Sequence, residues 1–137
     1  MRKVSTRPPS FPDAPKDVPL VPVGPERWQV LCGDPGHWRV GIYSPPEDRP
    51  EACRELEWHD CPEFFLLMSG RVTLVLSDGA GGLREVSLAP GRPVLVTVPH
   101  SAYCPDGPHG GTCLVVERDS FDTEYRAVED WKAPFPS

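Results

Sequence analysis

Short apolar segments recur along most of the chain, and glycine, proline or aspartate turns separate each from the next. Where apolar and polar residues alternate within a segment, the period is that of a β-strand with one buried face. The pattern predicts eight strands, at residues 28–32, 38–43, 54–59, 64–68, 71–76, 83–88, 94–98 and 112–117. Ser69-Gly70 and the glycine-rich run 78–82 are typical of hairpin turns. Many short strands with no helical period between them indicate an all-β sandwich or barrel.

The two ends of the chain differ from this central region. Residues 1–25 hold a large share of the 19 prolines, which forbid helix and block pairing inside a sheet, so they predict an extended arm. The first dozen residues have the composition of a disordered segment. Near the other end, an apolar stripe predicts a short helix between 120 and 131; its members are Phe121, Tyr125, Val128 and Trp131. The predicted organisation is therefore an arm at 1–25, a barrel at 26–119 and a helical tail at 120–137.

Size and charge narrow the classes of protein to consider. A chain of 137 residues is long enough for one domain with one core. The net charge of −6, without a run of lysine or arginine, argues against a nucleic-acid partner or an anionic membrane surface. No segment approaches the roughly 20 apolar residues of a membrane span. Prolines stand where a signal peptide would have its apolar segment, so we expect a cytoplasmic protein.

The five cysteines are odd in number and include no Cys-x-x-Cys pair, so they predict free thiols. Cys32 and Cys113 lie in apolar, strand-like runs, where packing in the core is the simplest interpretation.

The densest group of chemically active side chains lies in residues 57–63, Glu-Trp-His-Asp-Cys-Pro-Glu, before an apolar run that ends at Gly70. The spacing of His59, Glu63 and Gly70 resembles the first metal motif of the cupin family, a His-x-His pair followed by Glu and Gly on two neighbouring strands. Glu57 stands at the place of the first His. The resemblance implies a cupin-like double-stranded β-helix, or jelly-roll, barrel.

The second cupin motif, Pro-x-Gly-x-x-His, corresponds to residues 99–104, where Ser101 stands at the Gly place and Cys104 at the His place. His100 competes with Cys104, because the interval from Gly91 to Pro99 is two residues longer than in the family. The resemblance therefore implies Glu57, His59, Glu63 and Cys104 as metal ligands, with His100 in reserve.

Strand alternation supports one shared pocket, because Glu57 and His59 leave the same face of a strand, and Glu63 shares a face with Leu67 on the next strand. Nitrogen, oxygen and sulfur donors of this kind suit a divalent transition metal, namely Fe, Zn, Mn or Ni. Each residue also has a structural interpretation: Glu57 as a solvated strand residue, His59 as a hydrogen-bonded structural group, Cys104 as a small buried thiol.

Two classes of function remain open, and the sequence does not decide whether the protein is an enzyme. One is a metal-dependent cupin acting on a small molecule, of the dioxygenase or isomerase type. The other is a metal-free cupin that binds a small ligand, or isomerises or epimerises a sugar with His59 as general base and Glu63 or Tyr103 as its partner. Residues 64–131 also resemble the small sugar-nucleotide ketoisomerases of the cupin class.

The partners that these features imply are a small-molecule ligand or substrate and a second copy of the chain. The second half of the arm carries an apolar strip, formed by Val18, Leu20, Val21 and Val23. Exchange of arms in a two-fold homodimer would bury that strip on both subunits.

Overall fold

The computed structural model describes residues 1–136, and within them the regular structure is almost entirely β. Eleven strands follow one another in these residues: β1 (Arg2–Thr6), β2 (Trp28–Asp34), β3 (Trp38–Tyr43), β4 (Glu55–His59), β5 (Glu63–Gly70), β6 (Thr73–Ser77), β7 (Leu83–Ser87), β8 (Val94–Val96), β9 (His100–Tyr103), β10 (Gly111–Arg118) and β11 (Phe121–Ala127). Two single 3₁₀ turns occur, at Pro50–Ala52 and Val128–Asp130. All eight strands that the sequence pattern predicts are present.

The strands form two antiparallel sheets. One has six strands in the order β1-β11-β4-β9-β6-β7, and the other has five in the order β2-β3-β10-β5-β8. Within the described residues the sheets remain separate and do not close into a barrel, so the predicted barrel is corrected to a two-sheet sandwich. The chain passes from one sheet to the other at residues 60–62, between β4 and β5.

The core lies between the sheets and is built by alternation along the strands. On β5 and β10 every second side chain is buried, which is the pattern of a strand with one face on the core. The largest buried cluster contains Phe65, Leu67, Val72, Leu74, Leu76, Leu88, Val96, Ala102, Cys104, Cys113 and Val115. These residues fill part of the sandwich and leave a cavity elsewhere between the sheets.

The predicted C-terminal helix is wrong. Residues 121–127 form β11, which pairs with β4 on one side and β1 on the other. The apolar residues of the predicted stripe are buried in two different places and do not share one helix face. Phe121 faces the interior of the sandwich, whereas Trp131 packs in a second cluster with Leu56 and Val75. The Trp131 indole is fully buried and its Nε1 donates a hydrogen bond to the Leu56 carbonyl at 3.2 Å.

Two other strands were missed by sequence reasoning. Arg2–Thr6, predicted to begin the arm, form β1 instead, because they lie before the first proline and pair in register with β11. His100–Tyr103 form β9 between two prolines, in a segment too short to show alternation.

Within residues 1–136 no helix is long and apolar enough to cross a membrane.

Gly70 has a clear structural requirement. Its φ of +64° lies in the left-handed region, and a side chain there would collide with the backbone carbonyl of Gly110. The glycine of the first motif is thus needed where β5 meets β10.

Candidate metal centre

Four side chains converge inside the sandwich: Glu57 and His59 from β4, Glu63 from β5, and His100 from β9. One donor atom from each lies within 4.8 Å of the others. Glu57 pairs directly with His100 across β4 and β9, whereas Glu63 comes from the opposite sheet. The cluster therefore bridges the two sheets.

The Glu63 carboxylate lies at the spacing of a neighbouring metal ligand from both histidines. Glu63 Oε2 lies 3.1 Å from His59 Nε2 and 2.8 Å from His100 Nε2. Two bonds of about 2.1 Å at a right angle would place their donor atoms about 3.0 Å apart. Glu57 Oε1 lies further out, 3.7 Å from each ring nitrogen. The residues present thus fit a metal held by two histidines and one carboxylate, with Glu57 beside it.

The outward nitrogens of both rings have partners of their own. His100 Nδ1 lies 2.9 Å from the Val98 carbonyl, which can only accept, so Nδ1 carries the proton. His59 Nδ1 lies 2.8 Å from the Thr123 hydroxyl. Ligating histidines are usually held in this way, because the outer hydrogen bond fixes the ring and its tautomer. Both Nε2 atoms are left facing the cluster.

The electrostatics of the cluster favour its charged forms. Burial alone would lower the pKa of His59, but hydrogen bonds with Glu57 and Glu63 outweigh it and raise this pKa to about 11. The pKa of His100 is also raised, since Glu63 outweighs the effect of burial. Burial would raise the pKa of Glu63, yet the two histidines hold it well below its usual value. Without a metal, the two carboxylates therefore favour the protonated form of both rings.

Cys104, the fourth ligand that the resemblance implied, lies outside this cluster, and His100 lies inside it. His100, Ala102 and Cys104 are alternate residues that all point inward, so they share a face. A rise of about 3.3 Å per residue puts Cys104 roughly 13 Å further along the chain direction. There its Sγ lies 3.6 Å from the Gly111 carbonyl, inside the apolar core. The described residues thus bring the reserve residue, His100, into the cluster in place of Cys104.

Tyr103, the predicted catalytic partner, also lies away from the cluster. It is an odd-numbered residue of β9, so it leaves the face opposite to His100. Its hydroxyl donates a 2.6 Å hydrogen bond to Glu85.

The cluster lies on the wall of a cavity of about 540 Å³ between the sheets. Aromatic side chains line part of it, including Trp28, Phe65 and Phe121. Four arginines line it as well; they are Arg2, Arg27, Arg39 and Arg54. A space of this volume suits a small molecule.

The cavity wall also contains a buried ion pair that the sequence pattern did not predict. Arg39 on β3 binds Glu117 on β10, with Nε and Nη2 at 2.8 and 2.7 Å from Oε1. The Arg39 guanidinium lies over Phe121 and Trp28 at 5.1 and 5.4 Å from their ring centroids. Their positions could have indicated this pair, because Arg39 and Glu117 are charged residues at inward-facing places of two predicted strands.

The N-terminal strand forms another part of the wall. Arg2 pairs with Tyr125 across β1 and β11, and Tyr125 pairs with Glu57 across β11 and β4. The Arg2 guanidinium lies 3.8 Å from the centre of the Tyr125 ring and also binds Glu55 at 2.9 Å. Burial and the nearby Glu57 carboxylate raise the pKa of Tyr125 to about 12. Arg2 and Tyr125 thus continue the row that leads to Glu57 and His100.

No protein-family model matches the chain, and no curated protein is detectably similar to it. Solved structures do resemble it. Fe(II)-HppE in complex with substrate is 18% identical with a TM-score of 0.54, covering 80% of this chain and 61% of that chain. Hydroxypropylphosphonic acid epoxidase from S. wedmorenis with fosfomycin is 18% identical with a TM-score of 0.52, covering 65% and 48%. The DMSP lyase DddQ from Ruegeria pomeroyi DSS-3 is 16% identical with a TM-score of 0.49, covering 66% and 45%.

The chain thus spans about half to three-fifths of the length of these structures. At these identities the likeness concerns the fold alone. The two antiparallel sheets and the two neighbours with TM-scores above 0.5 together fit a cupin-like fold.

Proposed function

We propose that this protein is a metal-dependent enzyme that holds one divalent transition metal through His59, Glu63 and His100 and acts on a small polar molecule in the adjoining cavity. The observation that carries the proposal is the convergence of both Nε2 atoms on Glu63 Oε2, while each Nδ1 is bonded outward. This arrangement supports metal binding because the rings are already oriented for it.

Fe(II) is the metal that the donor set favours. Two histidines and one carboxylate with open positions are typical of non-haem Fe(II) oxygenases. Structures with Fe(II) and Co(II) HppE are among those that resemble this chain, which also supports a metal-dependent activity. When bound, such a metal polarises a substrate oxygen or takes part in redox chemistry.

The other residues of the site have roles that their positions suggest. Glu57 Oε1 lies 3.7 Å from both rings and its side chain is 30% exposed, so it would accept or return a substrate proton. The aromatic wall formed by Trp28, Phe65 and Phe121 would exclude water from the reacting atoms. The cavity of about 540 Å³ limits the substrate to a small molecule.

The direct test is metal analysis of protein purified without a histidine tag. We expect about one equivalent of metal, with Fe(II) bound in anaerobic titrations. His59→Ala and His100→Ala should each weaken binding by more than the ~10- to 100-fold that loss of an outer hydrogen bond costs.

His37→Ala is the matched control, because His37 is exposed at the turn between β2 and β3 and should leave metal binding unchanged. Equal metal content in all three variants would overturn the proposal.

The second candidate is a metal-free cupin in which Glu63 and the two rings exchange protons with a ligand. The distances of 2.8 and 3.1 Å favour it, because they are also those of hydrogen bonds. A protein that takes up no metal, yet loses ligand binding in Glu63→Gln, would support this candidate.

A further inference from the structure

Strand pairing in the six-stranded sheet is uneven beside the metal centre. β11 pairs with every residue of β4, and β6 pairs with every residue of β9, but β4 and β9 share the single pair of Glu57 with His100. Continued antiparallel pairing would set Glu55 opposite Ala102, and within residues 1–136 no such pair forms. The two strands therefore separate beyond Glu57. We call the space between residues 53–55 and residues 101–102 the seam.

A side chain spans the seam where a strand pair would otherwise lie. Cys53 Sγ donates a hydrogen bond to the Ala102 carbonyl at 3.4 Å. A thiol is a weak donor, and burial raises the pKa of Cys53, so this group stays a thiol. The seam is thus held by a weaker bond than the backbone ladders on either side of it.

The cavity of the metal centre extends into the seam. On β9, Ala102 faces the interior and Ser101 faces the outer side of the sheet, yet both line the cavity. Cys53 lines it too, although it packs with Leu56 in the cluster on the outer side. Neither β4 nor β9 is an edge strand, so the cavity reaches both faces by passing between them. Ala52, which is exposed, also lines it, and the passage therefore opens to solvent.

Side-chain exposure shows from which side solvent reaches the metal centre. The Glu57 side chain is 30% exposed, whereas those of His59 and Glu63 are each 7% exposed and that of His100 is 4% exposed. Glu57 also belongs to the one strand pair at which the seam ends. The most exposed member of the cluster therefore lies at the inner end of the seam.

We propose that the seam is the entrance through which a metal ion reaches the cluster, and that Cys53 restricts it. An ion that enters here meets the Glu57 carboxylate first, which attracts it toward the two rings. The inference rests on the proposed function, because the entrance serves the metal of that site. Covering the seam should slow entry and loosening it should speed entry, while the equilibrium affinity, which the ligands set, stays the same.

Stopped-flow mixing of the metal-free full chain with Co(II), followed by the visible absorption of the bound metal, measures entry. Ala52→Trp places a large side chain at an exposed position of the rim, so uptake should slow by at least ~10-fold, within the range over which association rates vary among variants of one site. Cys53→Ala removes the hydrogen bond to Ala102 and should speed uptake severalfold. Opposite changes in rate at equal equilibrium affinity would not arise from a general loss of fold, which circular dichroism would verify.

Val4→Trp is the matched control, since Val4 lines the same cavity from β1 and is 41% exposed. It should leave the rate unchanged. Equal rates in all variants, or slower uptake in Val4→Trp alone, would overturn the entrance and leave the metal site in place. A wild type that binds no Co(II) at equilibrium would overturn the proposed function and this entrance with it.

Discussion

His100 Nε2 lies 2.8 Å from Glu63 Oε2, across two different sheets and 37 positions of sequence. Because His100 Nδ1 already donates its proton to the Val98 carbonyl, Nε2 can donate to Glu63 only if the ring is the doubly protonated cation. The same nitrogen must lose its proton to bind a metal.

The first prediction follows because a proton and a metal compete for His100 Nε2. Metal affinity should rise with pH by up to about tenfold per unit for each proton released. Calorimetric titration in buffers of different ionisation enthalpy would count the protons. An affinity that does not change between pH 6 and 8, about one unit either side of neutrality, would contradict it.

The second prediction concerns the stability of the metal-free protein. Folding raises the pKa of His59 and His100 from 6.5, so their contribution to stability is complete below about pH 6.5. It is lost as the pH rises toward the folded value, about 11 for His59. The increase in Tm that a metal produces should therefore be larger at high pH. Thermal unfolding with and without metal across pH 6.5–9, in steps of about half a unit, measures this difference, and a constant difference would count against it.

Thr123 supplies the third prediction. Thr123→Val keeps the shape of the side chain but removes the partner of His59 Nδ1, so metal affinity should fall by ~10- to 100-fold. Thr112→Val is the control, because the Thr112 hydroxyl bonds Ser69 at the surface, 2.6 Å away. Equal affinities in the two variants would show that the Thr123 hydroxyl does not support the ring.

The fourth prediction separates the two carboxylates of the cluster. Glu63→Gln should weaken metal binding much more than Glu57→Gln, because only Glu63 lies within 3.1 Å of both ring nitrogens. Titration of the two variants with Co(II) would give both affinities and show in the visible spectrum whether the coordination changes. A larger loss in Glu57→Gln would make Glu57 the ligand instead.

The fifth prediction addresses the fold. Gly70→Ala should destabilise the protein by more than about 3 kcal/mol, since it adds a collision with Gly110 to the cost of a left-handed backbone. Gly91→Ala has a similar φ of +71° but open space around it, so about 1–2 kcal/mol is expected. Urea unfolding of both variants would test the difference, and similar costs would refute the steric explanation.

The sequence predicted those strands in which alternation is regular. Phe65 and Leu67 mark the buried face of β5, and that face carries Glu63 into the interior as expected. His59 and Glu57 reached the same cluster because they are two residues apart on one strand. Alternation along each strand was therefore sufficient to predict that Glu57, His59 and Glu63 face the interior.

Other parts of the site depend on contacts that sequence spacing does not reveal. The choice between His100 and Cys104 depended on a motif offset, since both residues face inward and only their distance along the chain separates them. Thr123 lies 64 positions from His59, in a segment whose apolar spacing predicts a helix. The apolar residues at 121, 125, 128 and 131 have a helical spacing, but pairing of residues 123–127 with β4 makes this segment a strand.

The pairing of β1 with β11 also has a consequence for how the protein is made. Ser5 and Asp122 bond across 117 positions of sequence, so this edge of the sheet can form only after residue 122 has left the ribosome. Contacts of such high sequence separation form slowly, because loop closure must come first. The strand that carries Thr123 belongs to this late-forming edge, and we therefore expect a nascent chain to bind metal tightly only after β11 has emerged from the ribosome.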